Sequence, residues 1–218
     1  MVDREQQYHE LISAAEALLA KDCINSLSLN KIAKRSGYSN GTVYKHFRSL
    51  PDLMAALLGQ RYRRSLSFDA LVERDFDDVY SRLLVRSTYR PWLLASGKYV
   101  ILAGADLPLD SVSPFARLDL ERLMARHRHW LMDQLRALGI DAAYLCHGID
   151  QIVDGCVLTI KKASSQEERL RSLEIFFDLI TAFLSTLKQE TSVSTEDVKA
   201  YLSRFARSYH QNYVALEL

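Results

Sequence analysis

The chain has 218 residues, 48% of them hydrophobic and 25% charged, with a net charge of +1, a composition ordinary for a folded protein in water. No apolar run of about 18 residues is present to span a membrane, and the polar, acidic opening MVDREQQYHE is unlike a signal peptide. Cys23, Cys146 and Cys156 have no C-x-x-C spacing, so neither a disulfide framework nor a zinc site is indicated and a reduced, cytoplasmic protein is expected.

The net charge conceals an asymmetry. Between Ile24 and Arg64 stand Lys31, Lys34, Arg35, Lys45, Arg48, Arg61, Arg63 and Arg64 against the single acid Asp52, a balance of +7 that leaves −6 elsewhere. Such a concentration is the footprint of a nucleic-acid-binding face. Lys and Arg stems lying over the apolar flanks of an ordinary surface give the same count.

From about Asp3 to Ala20, the residues Tyr8, Leu11, Ile12, Ala15, Leu18 and Leu19 recur at three- and four-residue steps and predict an amphipathic helix. Ser28 is placed to cap a helix from Leu29 to Arg35, with Ile32 and Ala33 as its small apolar face and Gly37 to end it. Ser39 then caps a second helix to about Phe47. Val43 and Phe47, one turn apart, face inward, and Asn40, Thr42, Tyr44, Lys45 and His46 are left outside. Gly41 costs about 1 kcal/mol of helix propensity relative to alanine, which makes sense where the backbone must come close to something. Two short helices about a tight turn form the helix-turn-helix plan, whose second helix enters the DNA major groove. Ser49 can cap a third helix with Pro51 in its first turn; Leu50, Leu53, Met54, Leu57, Leu58 and Tyr62 carry it towards the seventies.

The run IAKRSGYSNGTVYKHFRSLPDLMAALL resembles the DNA-binding signature of the TetR family of transcriptional repressors. Ile32, Ala33, Gly37, Ser39, Gly41, Thr42, Tyr44, Phe47 and Leu53 stand where that pattern has them. The match covers the first quarter of the chain; the rest resembles the family in length and helical plan. The resemblance implies an all-α fold of about ten helices, a small DNA-binding head on a larger helical body. Residues 1–49 are expected to form the head and 50–218 an effector-binding and dimerisation domain. The expected partners are an operator on double-stranded DNA, a second copy of the chain and a small-molecule effector. No cofactor, metal, membrane or catalytic step is expected. On the DNA side the residues are Ser28, Asn30, Lys31, Ser39, Asn40, Gly41, Thr42, Tyr44, Lys45, His46 and Arg48. Lys31, Tyr44, Lys45, His46 and Arg48 are expected on phosphates, with backbone N–H groups at the capped helix starts. Asn40, Thr42 and Lys45 are expected on base edges.

Further along, Asp75 to Tyr89 predicts a helix, Pro91 opens another running from Trp92 to about Ala105, and Asp106 to Ser113 reads as a loop. Pro114 starts a long helix to Leu138, ended by Gly139, with Phe115, Leu118, Met124, His127, Leu131 and Leu135 as its buried stripe. Large amphipathic side chains crowd these middle helices, and effector contacts are expected from Phe68, Tyr80, Arg82, Trp92, Tyr99, Met124, His127 and Trp130. Arg82, Arg86 or His127 would orient an anionic or polar ligand; each aromatic taken singly is as readily core.

Two more helices run from Asp141 to about Lys162 and from Ser165 to about Lys188. Gly148 and Gly155 let another helix come close, and the second helix is apolar over more than one face, which asks for burial on two sides. A four-helix bundle with a second copy answers this, as in TetR-like proteins. Its interface is expected at Gly148, Ile152, Gly155, Cys156, Phe176, Ile180, Phe183 and Leu187. A last helix, from Ser194 or Thr195 to about Val214, departs from the usual family plan and is striped by Val198, Tyr201, Leu202, Phe205, Tyr209 and Tyr213.

A catalytic reading is weak. His147, Asp150 and Asp154 share one helical face, and His129 and Asp133 are one turn apart, but no H-E-x-x-H pattern joins either group. There is no nucleophile elbow. Two other readings stand beside the regulator: a helical small-molecule-binding protein or enzyme with a vestigial head, and a DNA-binding protein that needs no effector.

Overall fold

Caps and apolar periodicity shape the computed structural model, which describes residues 3–19, 27–97, 107, 109–140, 143–186 and 196–204. Among the described residues there is no strand. The helices are α1 (Arg4–Leu19), α2 (Leu29–Ser36), α3 (Asn40–His46), α4 (Leu50–Asp75), α5 (Val79–Ala95), α6 (Pro114–Ala137), α7 (Ala143–Lys162) and α8 (Gln166–Ser185), with a 3-10 turn at Leu109–Ser111. A further helical run, α9, spans 196–204. None of these helices is long and apolar enough to cross a membrane.

Packing divides the chain into two compact units. The first holds the described residues through 64 together with 107 and 109–125; the second holds the rest. The division falls inside α4 and inside α6 rather than between residues 49 and 50.

In the first unit, Leu11, Ile12, Ala15, Ile32, Val43, Phe47, Leu53, Leu57 and Leu120 form the core. Two short helices cannot enclose a core alone, and α1 supplies the missing wall. Ser28 Oγ accepts from the Lys31 amide at 3.3 Å and Ser39 Oγ from the Thr42 amide at 3.2 Å, the two caps that the sequence predicts. Gly37, with φ +78°, ends α2 in the left-handed region. Lower down, α6 packs beside Gly59, where an added β-carbon would stand at ordinary contact distance, 3.4 Å from Leu123 Cδ1. The Leu120 and Leu123 side of α6 is the buried one. The expected stripe is corrected accordingly, since Phe115 is 85% exposed and Leu118 47% exposed.

The second unit is built around α5, which packs against both α7 and α8. Asp78 Oδ1 accepts from the Ser81 amide at 2.7 Å and starts this helix at Val79, so α5 begins four residues beyond the predicted Asp75–Tyr89 start. Pro91 lies inside α5 and does not open a new helix, contrary to the sequence rule. An interior proline costs about 3 kcal/mol. Tyr80, Leu83, Leu84, Tyr89 and Leu93 are all buried on the same helix; at about 1.5–3 kcal/mol each, their burial outweighs that cost.

The α9 run completes this core. Val198 and Leu202 are inaccessible, the Tyr201 hydroxyl donates to Asp75 Oδ2 at 2.9 Å, and the Tyr201 ring stands edge-on to Phe76. Burial, with the Asp75 carboxylate beside it, raises the Tyr201 phenol well above its ordinary pKa. Phe205, Tyr209 and Tyr213 lie outside the described residues.

Candidate nucleic-acid interface and the polar centre of the second unit

Val43 is fully buried and Phe47 nearly so, which fixes the rotation of α3 and decides what points away from the core. Asn40, Gly41, Tyr44 and Lys45 are exposed on α3, as are Asn30 and Lys31 on α2 and Arg48 beyond α3. Tyr44, 52% exposed, is a large ring that the fold leaves in solvent. No Asp or Glu stands between Leu27 and Pro51, so the exposed row carries cations and amide groups with no acid among them. Ser28, Ser39 and Thr42 sit at its edge: both serines serve as caps, and Ser39 Oγ also lies 3.0 Å from Thr42 Oγ1. His46 is drawn away from the row. Its Nε2 is 3.4 Å from Gln7 Oε1 on α1, and burial, helped by the Arg4 charge, lowers its pKa, so the neutral ring is a poorer phosphate partner than Lys45 or Arg48. Tyr38 closes the turn by donating to Glu10 of α1.

A second constellation lies wholly in the other unit. Arg86 of α5 pairs with Asp69 of α4 and donates from Nη2 to His127 Nδ1 of α6 at 2.9 Å. His127 Nε2 reaches Asp150 Oδ1 of α7 at 3.2 Å. A guanidinium only donates, so Nδ1 is the accepting nitrogen and the neutral ring carries its proton on Nε2, towards Asp150. The Trp130 indole donates to Glu73 Oε1 at 2.8 Å, and Arg86 stands over the same indole. Arg90 of α5 pairs with Asp154 of α7 at 2.7 Å. Asp69, Arg86 and His127 are all at least nine-tenths buried.

Burial, and next to it the Arg86 charge against the Asp150 hydrogen bond, leaves the His127 pKa below its ordinary value. An unfolded chain therefore takes up a proton on this ring before the folded chain does. Stability from this group is complete above the ordinary histidine pKa of about 6.5 and is lost as pH falls from there towards the lowered folded value. The expected result is a smaller decline in unfolding free energy between about pH 7 and 5 for His127→Gln than for the native chain, measured by urea titration at each pH. Equal slopes would contradict a neutral buried ring.

Of the expected effector residues, His127 and Trp130 meet in this centre together with Arg86. Asp69 and Glu73 were not foreseen, because an acid on a long helix carries no signal of its partner on another. The Phe68 ring stacks on Tyr89 at 4.0 Å, Tyr80 donates to the Thr181 carbonyl at 3.0 Å, and Trp92 packs half-buried against the same core. Arg82 is spent locally on the Phe76 carbonyl at 2.7 Å. Met124 belongs to the first unit, and Tyr99 lies outside the described residues. His147 is exposed, while Asp150 and Asp154 go to His127 and Arg90, so the suspected trio does not assemble. Among the described residues, no group of three or more His, Cys, Asp or Glu side chains is placed to hold a metal.

Residues 11–57 match the sequence model of the bacterial regulatory proteins of the tetR family. This segment, which holds the helix-turn-helix, carries the family's DNA-binding signature. Over 70 residues it is 32% identical to an uncharacterized HTH-type transcriptional regulator of Haemophilus influenzae, a match that covers 32% of this chain and only 36% of that relative. Over 157 residues it is 24% identical to the fatty acid metabolism regulator protein of Bacillus subtilis, covering 69% of this chain and 76% of the relative. In three dimensions it is similar to the transcriptional regulator FadR of Bacillus subtilis, solved in complex with stearoyl-CoA, with a TM-score of 0.54 and 18% identity over 78% of this chain and 97% of that one.

The exposed row of α2 and α3 lies within the matched segment and is the candidate DNA-facing surface. The residues expected at a dimer interface separate into two groups. Phe176 and Ile180 turn into the core of their own unit, a correction that follows from α8 packing on α5. Phe183, Ile152 and Cys156 are half-buried against that core, and Leu187 lies outside the described residues. Gly148 and Gly155, two turns apart on α7, have nothing within 4 Å of an added β-carbon. Tyr144 and Leu158 of α7 and Leu170, Ile175 and Leu179 of α8 are large apolar side chains left exposed on the same two helices.

Proposed function

We propose that this chain is a ligand-responsive repressor that acts in the cytoplasm by binding, without catalysis, and joins a palindromic operator as a homodimer. The observation that carries the reading is the acid-free row Asn30, Lys31, Asn40, Gly41, Tyr44, Lys45 and Arg48, held outward by buried Val43 and Phe47. Lys31, Tyr44, Lys45 and Arg48 take phosphates; Asn40 and Lys45 read base edges, where an amide suits adenine and an ammonium suits guanine. Two copies meet through α7 and α8, at Gly148, Gly155, Leu158, Ile175 and Leu179, and so present two α3 helices about 34 Å apart, one turn of DNA. The effector domain is the second unit. An effector lowers DNA affinity in proportion to its preference for the conformation that binds DNA less well. Stearoyl-CoA, present in the Bacillus subtilis FadR structure, is the first ligand to test.

The test is fluorescence anisotropy with DNA from immediately upstream of the chain's own gene, against a scrambled duplex, over a range of salt. Tight, saturable binding to the first and weak binding to the second is expected. Lys45→Ala is expected to weaken binding to both duplexes and to reduce the slope of log affinity against log salt by about one. Equal binding to both duplexes would leave only a basic surface. In the same preparation, Leu179→Asp is expected to elute from a sizing column at half the native mass; an unchanged elution position would remove α8 from the interface.

A further inference from the structure

α4, α5, α6 and α7 meet around His127 within the second unit, and each neighbouring helix brings charged groups to the ring. Asp69 and, one turn later, Glu73 come from α4, Arg86 and Arg90 from α5, and Asp150 and Asp154 from α7. Arg126 and Arg128 flank it on α6 and are exposed. Four carboxylates therefore face the two buried guanidiniums, and a further positive charge suits the centre. The geometry at Nδ1 is what opposes it. That nitrogen accepts from Arg86 Nη2 at 2.9 Å, and a protonated imidazole, like a guanidinium, only donates. Proton uptake cannot leave the Arg86 contact in place. An acceptor for the charged ring is already built: among the described residues, Asp69 Oδ2 is buried with no hydrogen-bond partner, while Arg86 Nε holds Oδ1 of the same carboxylate. The Asp69 charge favours the protonated ring, and Nε2 can donate to Asp150 in both states. Two protonation states thus call for two arrangements of the same four side chains.

We propose that His127 is a proton-operated switch on DNA binding: on acidification Nδ1 takes a proton and exchanges Arg86 for Asp69 Oδ2, and the altered tie between α4 and α6 weakens the hold on operator DNA. Both helices have residues on each side of the division. α4 contributes residues 50–64, and α6 residues 114–125, to the unit that carries α2 and α3. Engaging two half-sites together demands a fixed spacing of two α3 helices, so a change in α4 and α6 is felt at DNA. Burial sets the ring below its ordinary pKa, which places the change under about pH 6.5. The proton acts here as the effector, shifting the population by its preference for one arrangement. Operator DNA must in return lower the proton affinity of the ring. This proposal rests on the DNA-binding reading and needs no small-molecule ligand.

The test pairs anisotropy on operator DNA with the proton resonances of the histidine rings. Both are followed in the full-length protein from about pH 7.5 to 5.5, a range that brackets the ordinary histidine value. His127→Gln keeps an acceptor for Arg86 and a donor for Asp150 without a titratable ring. The native chain is expected to lose about tenfold more affinity over this range than His127→Gln does, with its helical circular dichroism unchanged. The other histidines titrate in both chains, so the difference belongs to His127. The resonance missing from His127→Gln identifies the ring. Its midpoint is expected to fall in Asp69→Asn, where an amide replaces the waiting oxygen, and to fall again in the native chain when operator DNA is added. Parallel affinity profiles in the native chain and His127→Gln overturn the switch, as does loss of the helical signal within this range. A midpoint unmoved in Asp69→Asn overturns the exchange at Asp69. The ring is read without DNA, so the two readings fail separately: no binding to either duplex at any pH rejects the regulator and the coupling with it, while the resonance still decides the exchange.

Discussion

Replacing Arg86 with alanine is expected to lower the unfolding free energy by about 3–5 kcal/mol, the cost of leaving a buried charge without its partner. The side chains of Arg86 and Asp69 are only 6% and 3% exposed, so water cannot take over the role of the guanidinium. Two acceptors are orphaned at once, the Asp69 carboxylate and His127 Nδ1, and Asp69 Oδ2 has no hydrogen-bond partner even in the intact centre. Burial already raises the Asp69 pKa, with the Arg86 charge opposing it. Removing Arg86 raises it further, and a group whose folded pKa is raised gains folded-state stability as pH falls. The penalty in Arg86→Ala is therefore expected to shrink as pH is lowered into the carboxylate range. Asp69→Leu combined with Arg86→Met removes both charges and keeps the volume, and is expected to cost far less than Arg86→Ala alone. Urea titration of the variants decides the matter. A loss below about 1 kcal/mol for Arg86→Ala would mean that the centre is hydrated or that its charges are already neutralised.

The first unit was the more legible of the two because its signals are local. Ser28, Gly37 and Ser39 act within a few residues of themselves, and the fold uses each as a cap or a helix end. Val43 and Phe47 declare the inward side of α3 by spacing alone. Long apolar helices gave no such guidance. α8 carries Phe176, Ile180, Ile175 and Leu179, and hydrophobicity cannot say which pair faces α5 and which faces out; the structure buries the first pair and exposes the second. Phe115 and Leu118 misled for the same reason, since spacing alone does not say that the Leu120 and Leu123 side of α6 is the buried one. Pro91 reads as a helix start only where burial is too weak to carry a proline through. The centre of Asp69, Arg86, His127 and Asp150 has one member on each of four helices, and no spacing in a single sequence encodes such a meeting. Its arginine and histidine could be suspected as polar groups in apolar helices, but their partners could not.

Gly41→Ala is expected to move stability and DNA binding in opposite directions, which separates the interface from the fold more sharply than loss of a cation does. Nothing inside the protein calls for glycine at this position. A β-carbon there meets no atom nearer than Ser39 Oγ at 3.8 Å, and its backbone is not in the left-handed region occupied by Gly37, Gly97 and Gly139. Alanine in the first turn of α3 is therefore expected to raise stability by up to about 1 kcal/mol through helix propensity. If the α3 backbone lies against DNA at Gly41, the same methyl group obstructs contact, and affinity for the operator is expected to fall at least tenfold, or about 1.4 kcal/mol. Gly41→Leu is expected to lower affinity further with little further change in stability. Gly37→Ala serves as the contrast: with φ +78° it is expected to lose about 1–2 kcal/mol of stability through backbone strain, and DNA affinity only as far as α2 frays. A Gly41→Ala chain that melts higher and binds operator as well as the native chain would show that α3 approaches DNA by another side, and the roles of Asn40 and Tyr44 would fall with it.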